Sequence, residues 1–280
     1  MASQELTKKL WVNKLRSTTA AADYATLIAL LFIVISATAI WLPGAHWLTD
    51  YAYKSDFTFH PDEDRFVDWA THFEHPVNHK YYPLFMATQL FIINSFLHKI
   101  MHVELNSPVV LRCITLTYAI LSTVFLFVFL RFLGFSRLVS ILSSFFLAFA
   151  PLFIILSHFG TADMAAFFLF YLTIFAAWRY QVTNKEFWFH FAVASAGVAM
   201  AAKFYLPALV PPAIIILRQP VKKIWSSVFV STCIFITFFS TASFFNFTPW
   251  DFKRLIDLLI YDNVLIEGGS LHYNKLFYIL

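Results

Sequence analysis

The sequence predicts an all-α protein: a polytopic bundle of about seven membrane-spanning helices with a long first outer loop that carries interfacial helices. Three observations predict it. The first is composition: of 280 residues, 60% are hydrophobic, 20% aromatic and 13% charged, against roughly 45–50% apolar and 25% charged in an average soluble domain. Such a chain is not an ordinary soluble enzyme, and 35 Phe with a mean hydropathy of +0.69 exclude disorder, because it buries far more apolar surface than ordering requires. The second is a series of apolar runs, each near the 20 or so residues that cross a bilayer core. The third is the distribution of Lys and Arg, which alternates between the segments joining those runs.

The runs lie at about 24–42, 109–132, 138–156, 165–178, 187–202, 206–217 and 224–247. The first is too long for a signal-peptide core and has no small-residue cleavage pattern, so it reads as a retained span. Residues 84–97 are apolar but short, carry Gln89 and Asn94, begin behind Pro83 and end in His98, Lys99 and His102. They are expected to lie in the interface. With seven spans and a cytoplasmic N-terminus, the inner segments hold Lys8, Lys9, Lys14, Arg16, Arg131, Arg137, Arg179, Lys185, Arg218, Lys222 and Lys223, opposed by Glu5 and Glu186. A span at 84–97 would move every later loop to the other side and destroy this positive-inside pattern. The net charge of +4 is thus a topology signal, and no nucleic-acid partner is expected. Cys113 and Cys233 fall inside apolar runs, where they read as small buried hydrophobes. The 192–202 run of Ala, Ser and Gly suits close helix packing.

This topology makes 43–108 one long outer loop and 248–280 a C-terminal outer segment of a single transmembrane domain. The loop holds eight of the 16 carboxylates and seven of the ten His, and long polar loops in compact proteins are usually functional. Its sharpest feature is His60-Pro61-Asp62-Glu63-Asp64. One reading is a solvated turn with an Asp capping a helix; the other is a carboxylate at the membrane surface that accepts a proton or binds a divalent cation. The same outer level carries Asp163, read as an N-cap for a helix starting at Met164 or as a functional acid. It also carries His158, a satisfied interfacial imidazole or a ligand. Lys203 and Arg112 either snorkel to headgroups or bind a lipid phosphate. His272 lies in a Gly-containing outer loop and is the weakest of the set. His72, His75 and His79 have no regular ligand spacing and read as surface groups.

The order of landmarks resembles the membrane-embedded GT-C glycosyltransferases, in particular glycosyltransferase family 39, the dolichyl-phosphate-mannose-protein mannosyltransferases and their prokaryotic relatives. His60-Pro61-Asp62-Glu63 resembles the acidic motif of the first outer loop, Tyr82-Pro83-Leu84 the Tyr-Pro element after it, and Arg112 the Arg that opens the next span. Ser157-His158-Phe159 with Asp163 resembles the second acidic motif, and Ala202-Lys203-Phe204-Tyr205 the Lys-Tyr element that follows the fifth span. The resemblance runs from about residue 24 to the end. Family members usually carry more C-terminal spans, and Leu276-Phe277-Tyr278-Ile279-Leu280 reads as the start of another.

The resemblance implies transfer of a mannose-like sugar from a polyprenyl-phosphate donor to a hydroxyl of a protein, glycan or lipid acceptor. The reaction is expected on the extracytoplasmic face of a cell inner membrane or the endoplasmic reticulum membrane. Asp62 is then the expected base, Glu63 orients the acceptor or holds a cation, and Asp163 assists. Lys203 and Arg112 neutralise the donor phosphate. A divalent cation, if used, would take ligands from Glu63, His158 or His272; its requirement is left open. The competing classes are a transporter or flippase of a lipid-linked or anionic solute, which needs ionisable groups near the bilayer midplane, and a non-catalytic membrane subunit.

Overall fold

A computed structural model of the chain describes residues 20–45, 61–71, 84–102, 107–203 and 205–242. These form ten α-helices and one 3₁₀ turn, with no strand among the described residues. The helices are α1 (Ala20–Ala45), α2 (Pro61–Thr71), α3 (Phe85–Met101), α4 (Ser107–Phe132), α5 (Arg137–Ala148), α6 (Pro151–His158), α7 (Asp163–Thr183), α8 (Glu186–Lys203), α9 (Val210–Leu217) and α10 (Val221–Ala242). The 3₁₀ turn, Leu206–Leu209, precedes α9. The fold class is therefore an all-α polytopic helix bundle.

Four helices are long and apolar enough to cross a membrane: α4, α7 and α10 along their whole lengths, and α1 over Tyr24–Ala45. The run at 138–156 makes a fifth only as a broken span, because α5 and α6 meet at a 56° bend. Pro151 opens α6. It donates no backbone hydrogen bond, and its ring excludes a continuous helix through that point. The run at 206–217 forms the short 3₁₀ turn and eight-residue α9, not the full-length span expected. Residues 84–97 form α3, 17 residues long and shorter than a span. Large apolar side chains on α1 (Leu27, Ile28, Leu31, Phe32, Ile35) and α10 (Trp225, Phe229) are exposed, a surface suited to hydrocarbon and a liability in water. The chain is an integral membrane protein.

Local signals set the breaks. Gly134 turns the chain between α4 and α5 at φ 86, a conformation that costs glycine nothing. Ser136 then caps α5 by accepting from the Val139 N–H at 3.2 Å, as Ser commonly does at this position. Asn184 closes α7 in the left-handed region at φ 51, where Asn is tolerated better than most residues.

At the centre, α8 packs most extensively on α7 and then on α10, while α4 packs on α5, α7 and α1. The small residues anticipated at 192–202 line these contacts: Ala192, Ala196, Ala199, Ala201 and Ala202 are fully buried. The largest core cluster ties the loop helix α2 through Phe66 and Trp69 to Met86 and Leu90 of α3, Leu111 of α4, Ala165 of α7 and Ala199 of α8. The segment containing the acidic motif is therefore built into the bundle. Cys113 is half-buried and Cys233 is exposed on α10, so the second is not the buried hydrophobe expected.

The closest approach is at Gly197, where a Cβ would stand 2.9 Å from the Phe235 carbonyl oxygen of α10. A backbone atom cannot rotate away, so Gly197→Val is expected to push α10 off α8 and destabilise the protein by about 1–3 kcal/mol, the usual scale for overpacking. Thermal unfolding in detergent, with Val198→Leu on the same helix as the control, measures this; equal unfolding temperatures would refute the contact.

Candidate active site

Glu63 and Arg112 form the centre of the site. Pro61 is the first residue of α2, a position where its missing N–H is no loss. Asp62 and Glu63 therefore lie in the first turn of α2, whose N-terminus favours negative charge, and not ahead of the helix as an isolated cap. Glu63 is 3% exposed and Arg112, near the start of α4, is 2% exposed. The guanidinium donates from Nε to Glu63 Oε1 at 2.8 Å and from Nη2 to Oε2 at 2.9 Å, the paired geometry in which Arg binds carboxylate best. Oε1 also accepts the Gly160 N–H at 2.5 Å, and Arg112 Nη1 donates to the Gly44 carbonyl at 3.2 Å. One network thus joins the end of α1, the start of α2, the start of α4 and the loop between α6 and α7.

Two glycines allow it. A Cβ on Gly160 would lie 2.7 Å from Leu111 and 3.2 Å from Glu63 Oε1. A Cβ on Gly44 would enter the His158 ring at 2.2 Å. His158 stands against the end of α1, its Nε2 3.3 Å from the Ile40 carbonyl.

The second pair is Asp163 with Lys203. These are the first residue of α7 and the last of α8, two antiparallel neighbours, so the packing brings together positions 40 apart in sequence. Lys203 Nζ donates to Asp163 Oδ1, and both side chains are only partly buried, at 18% and 26% exposure. Each charge also matches the helix end that carries it. Ala162 is the N-cap of α7 and makes no side-chain cap bond; Asp163 is thus not the cap, and its carboxylate faces Lys203. Tyr205 follows, its ring 5.3 Å from that of Phe170. Burial, and after it the Asp163 carboxylate, push its phenol above the usual range, so it remains a hydroxyl donor at neutral pH.

Gly160 and Asp163 are three residues apart, so at most about 11 Å of chain separates the loop contact to Glu63 from the second pair. The structure therefore brings Glu63, Arg112, Asp163, Lys203 and His158 to one end of the bundle. Asp62 adjoins Glu63 in the chain, one Cα–Cα step of about 3.8 Å; its side chain, like all of His272, lies outside the described residues. Among the described residues no group of three or more His, Cys, Asp or Glu could hold a metal, and Glu63 already accepts from Arg112 and Gly160. Arg112, expected at a phosphate, has protein partners here, the Glu63 carboxylate foremost. Sequence reasoning missed Gly44 and Gly160. Their signal was weak: both are among only six glycines, and each adjoins a landmark.

Removing one member of a buried ion pair strands the other charge, which typically costs 3–5 kcal/mol, whereas replacing both is far milder. Arg112→Gln is accordingly expected to destabilise the protein by about 3–5 kcal/mol, and Glu63→Gln/Arg112→Gln to recover most of that loss. A double-mutant cycle of thermal unfolding in detergent checks it; additive losses would contradict the pairing.

The family model for dolichyl-phosphate-mannose-protein mannosyltransferase matches residues 92–257, more than half of the chain. The match covers α4 to α10 and hence Arg112, Asp163 and Lys203. No curated protein and no solved structure matches the chain. With more than half its length matched and an all-α membrane bundle around the site, the chain belongs to the dolichyl-phosphate-mannose-protein mannosyltransferase family.

Proposed function

We propose that the protein transfers a mannose-like sugar from a polyprenyl-phosphate donor to an acceptor hydroxyl at the membrane face that carries Glu63 and Asp163, and that this face is extracytoplasmic with the N-terminus cytoplasmic. The family points to a membrane glycosyltransferase; donor, acceptor and orientation are our reading. The supporting observation is the pair of linked charge clusters at one end of the bundle, one buried and closed on itself, the other partly exposed.

The chemistry is a displacement at the anomeric carbon. The acceptor oxygen forms a bond to that carbon, the bond from carbon to the phosphate oxygen breaks, and the hydroxyl proton passes to a base. Asp62 is that base: it sits in the first turn of α2, one residue before the Glu63 anchor. Because both Glu63 oxygens accept from Arg112 and one also from Gly160, we assign this pair to holding α2 in register, a more indirect role than binding acceptor or phosphate. Lys203 meets the leaving phosphate, and Asp163 holds its ammonium in place until the donor arrives. Stabilising charge that develops in the transition state is the largest contribution such a site can make. Tyr205, held as a neutral phenol, can donate to the same phosphate. The acceptor is a hydroxyl of a protein, glycan or lipid. If a divalent cation takes part, it would reinforce Lys203 at the phosphate.

Two measurements test this reading. Asp62→Asn is expected to lower sugar transfer from a polyprenyl-phosphate donor by about 10²–10⁴-fold, the range for a lost general base, with insertion and unfolding temperature unchanged. Full turnover would end the base assignment. Lys203→Gln is expected to reduce kcat by about 10²–10³-fold, as for other lost donors to a developing anion, and to shift unfolding little because the pair is partly solvated. A large stability loss with kcat intact would make Lys203 a structural residue.

A further inference from the structure

At the opposite end of the bundle, about 24 Å along α7 from Asp163 at 1.5 Å per residue, stands Arg179. Its guanidinium carbon lies 5.3 Å from the Trp188 ring centroid, 5.6 Å from Phe132 and 5.9 Å from Trp178. Phe175 floors the box, with its ring 5.5 Å from Phe132, 6.0 Å from Trp178 and 5.7 Å from Trp188. The rings come from the last residue of α4, the final turns of α7 and the first turn of α8. They hold the faces of the guanidinium, each contact favourable for a cation, and leave its edge for acceptors.

Among the described residues no acceptor takes that edge. Among the described residues no carboxylate lies within ion-pair distance of Arg179, and its Nε is buried without a hydrogen-bond partner. The side chain as a whole is only half-buried, so its outer nitrogens are the part left to the surface. Arg131 directly precedes Phe132, Lys185 lies between α7 and α8, and the acid adjoining them in sequence is Glu186. A planar donor edge, clamped by aromatics at the ends of α4 and α7 and facing no carboxylate among the described residues, matches the paired oxygens of a phosphate better than any point charge would. Trp at such a level is itself characteristic of the membrane interface.

We propose that Arg179 and its aromatic box bind one phosphate, supplied by the phosphodiester of an anionic lipid headgroup. The site is separate from the proposed sugar-transfer site and does not depend on it. It holds the ends of α4, α7 and α8 against a single lipid.

The test uses the full chain in nanodiscs of phosphatidylcholine with and without phosphatidylglycerol, then native mass spectrometry of the released protein. Wild type is expected to retain one phosphatidylglycerol. Arg179→Gln should lower that retained fraction several-fold, and Arg179→Lys should lower it to an intermediate level because charge remains without the planar stack. Arg218→Gln, which removes an equal charge from an exposed position at the same end, should leave it unchanged. Equal losses for Arg179→Gln and Arg218→Gln would overturn the site in favour of a diffuse charge effect. Should the Arg179 variants fail to fold, a photoactivatable phosphatidylglycerol on wild type decides the question: cross-links on 175–188 or on Phe132 support the site, and cross-links only elsewhere refute it. In a parallel arm, inorganic phosphate is titrated against protein in phosphatidylcholine alone. A Trp fluorescence change that Arg179→Gln abolishes, with no phosphatidylglycerol retained, would assign the same phosphate pocket to a soluble anion.

Discussion

A buried carboxylate and a buried guanidinium, Glu63 and Arg112, organise one end of this protein. Neither charge tolerates a dry environment alone, and burial of both is offset only if their geometry is good and the remaining hydrogen-bonding groups find partners. Here the two paired bonds to Arg112, the Gly160 N–H and the Gly44 carbonyl supply those partners. The net stability of such an ion pair is small. Its consequence is geometric: moving α2 out of this register would separate the pair and leave each charge unpaired in the core.

That constraint reaches the second pair through the loop between α6 and α7. The same short segment places Gly160 against Glu63 and starts α7 at Asp163. Lys203 is brought to Asp163 by the antiparallel packing of α7 and α8, which in turn needs the small residues along α8. The two pairs differ in solvation. Glu63–Arg112 is closed and mutually satisfied, whereas Asp163–Lys203 is partly open, so an incoming anion can compete for the Lys203 ammonium there and not at Arg112.

Electrostatics also distinguishes the two ends of the bundle. At the end with Asp163, cations are matched by acids of the protein. At the Arg179 end a guanidinium is held by aromatic faces, and no carboxylate among the described residues lies within ion-pair distance of it. The described ionisable groups therefore cluster near helix ends, and the interior of the bundle is left to apolar side chains and to hydroxyls such as Thr123 and Thr173. That arrangement suits chemistry and lipid contact at the interfaces more than a solute path through the midplane.

Much of this was legible in the sequence. The apolar runs at 109–132 and 165–178 became α4 and α7 with ends shifted by a few residues, because hydrophobic length is dictated locally by the bilayer. The small-residue stretch on α8 and the shortness of α3 were likewise readable from composition. Asp163 and Lys203 could be placed at one membrane level by counting spans. What composition could not reveal was where a span breaks: 138–156 is apolar throughout, yet Pro151 bends it, and 206–217 yields only a 3₁₀ turn and a short helix. Nor could it say which charges meet. The pairing of Glu63 with Arg112, and the need for glycine at 44 and 160, arise from approach distances between segments 49 to 114 residues apart (158 − 44 = 114). Hydrophobicity and span length are properties of a stretch of chain, so the sequence by itself determined the class, the membrane environment and the candidate residues. Contact between distant side chains depends on how the helices pack in three dimensions, and only the tertiary structure decided that Arg112 closes a buried pair with Glu63 while Lys203 stands in a partly open pair with Asp163.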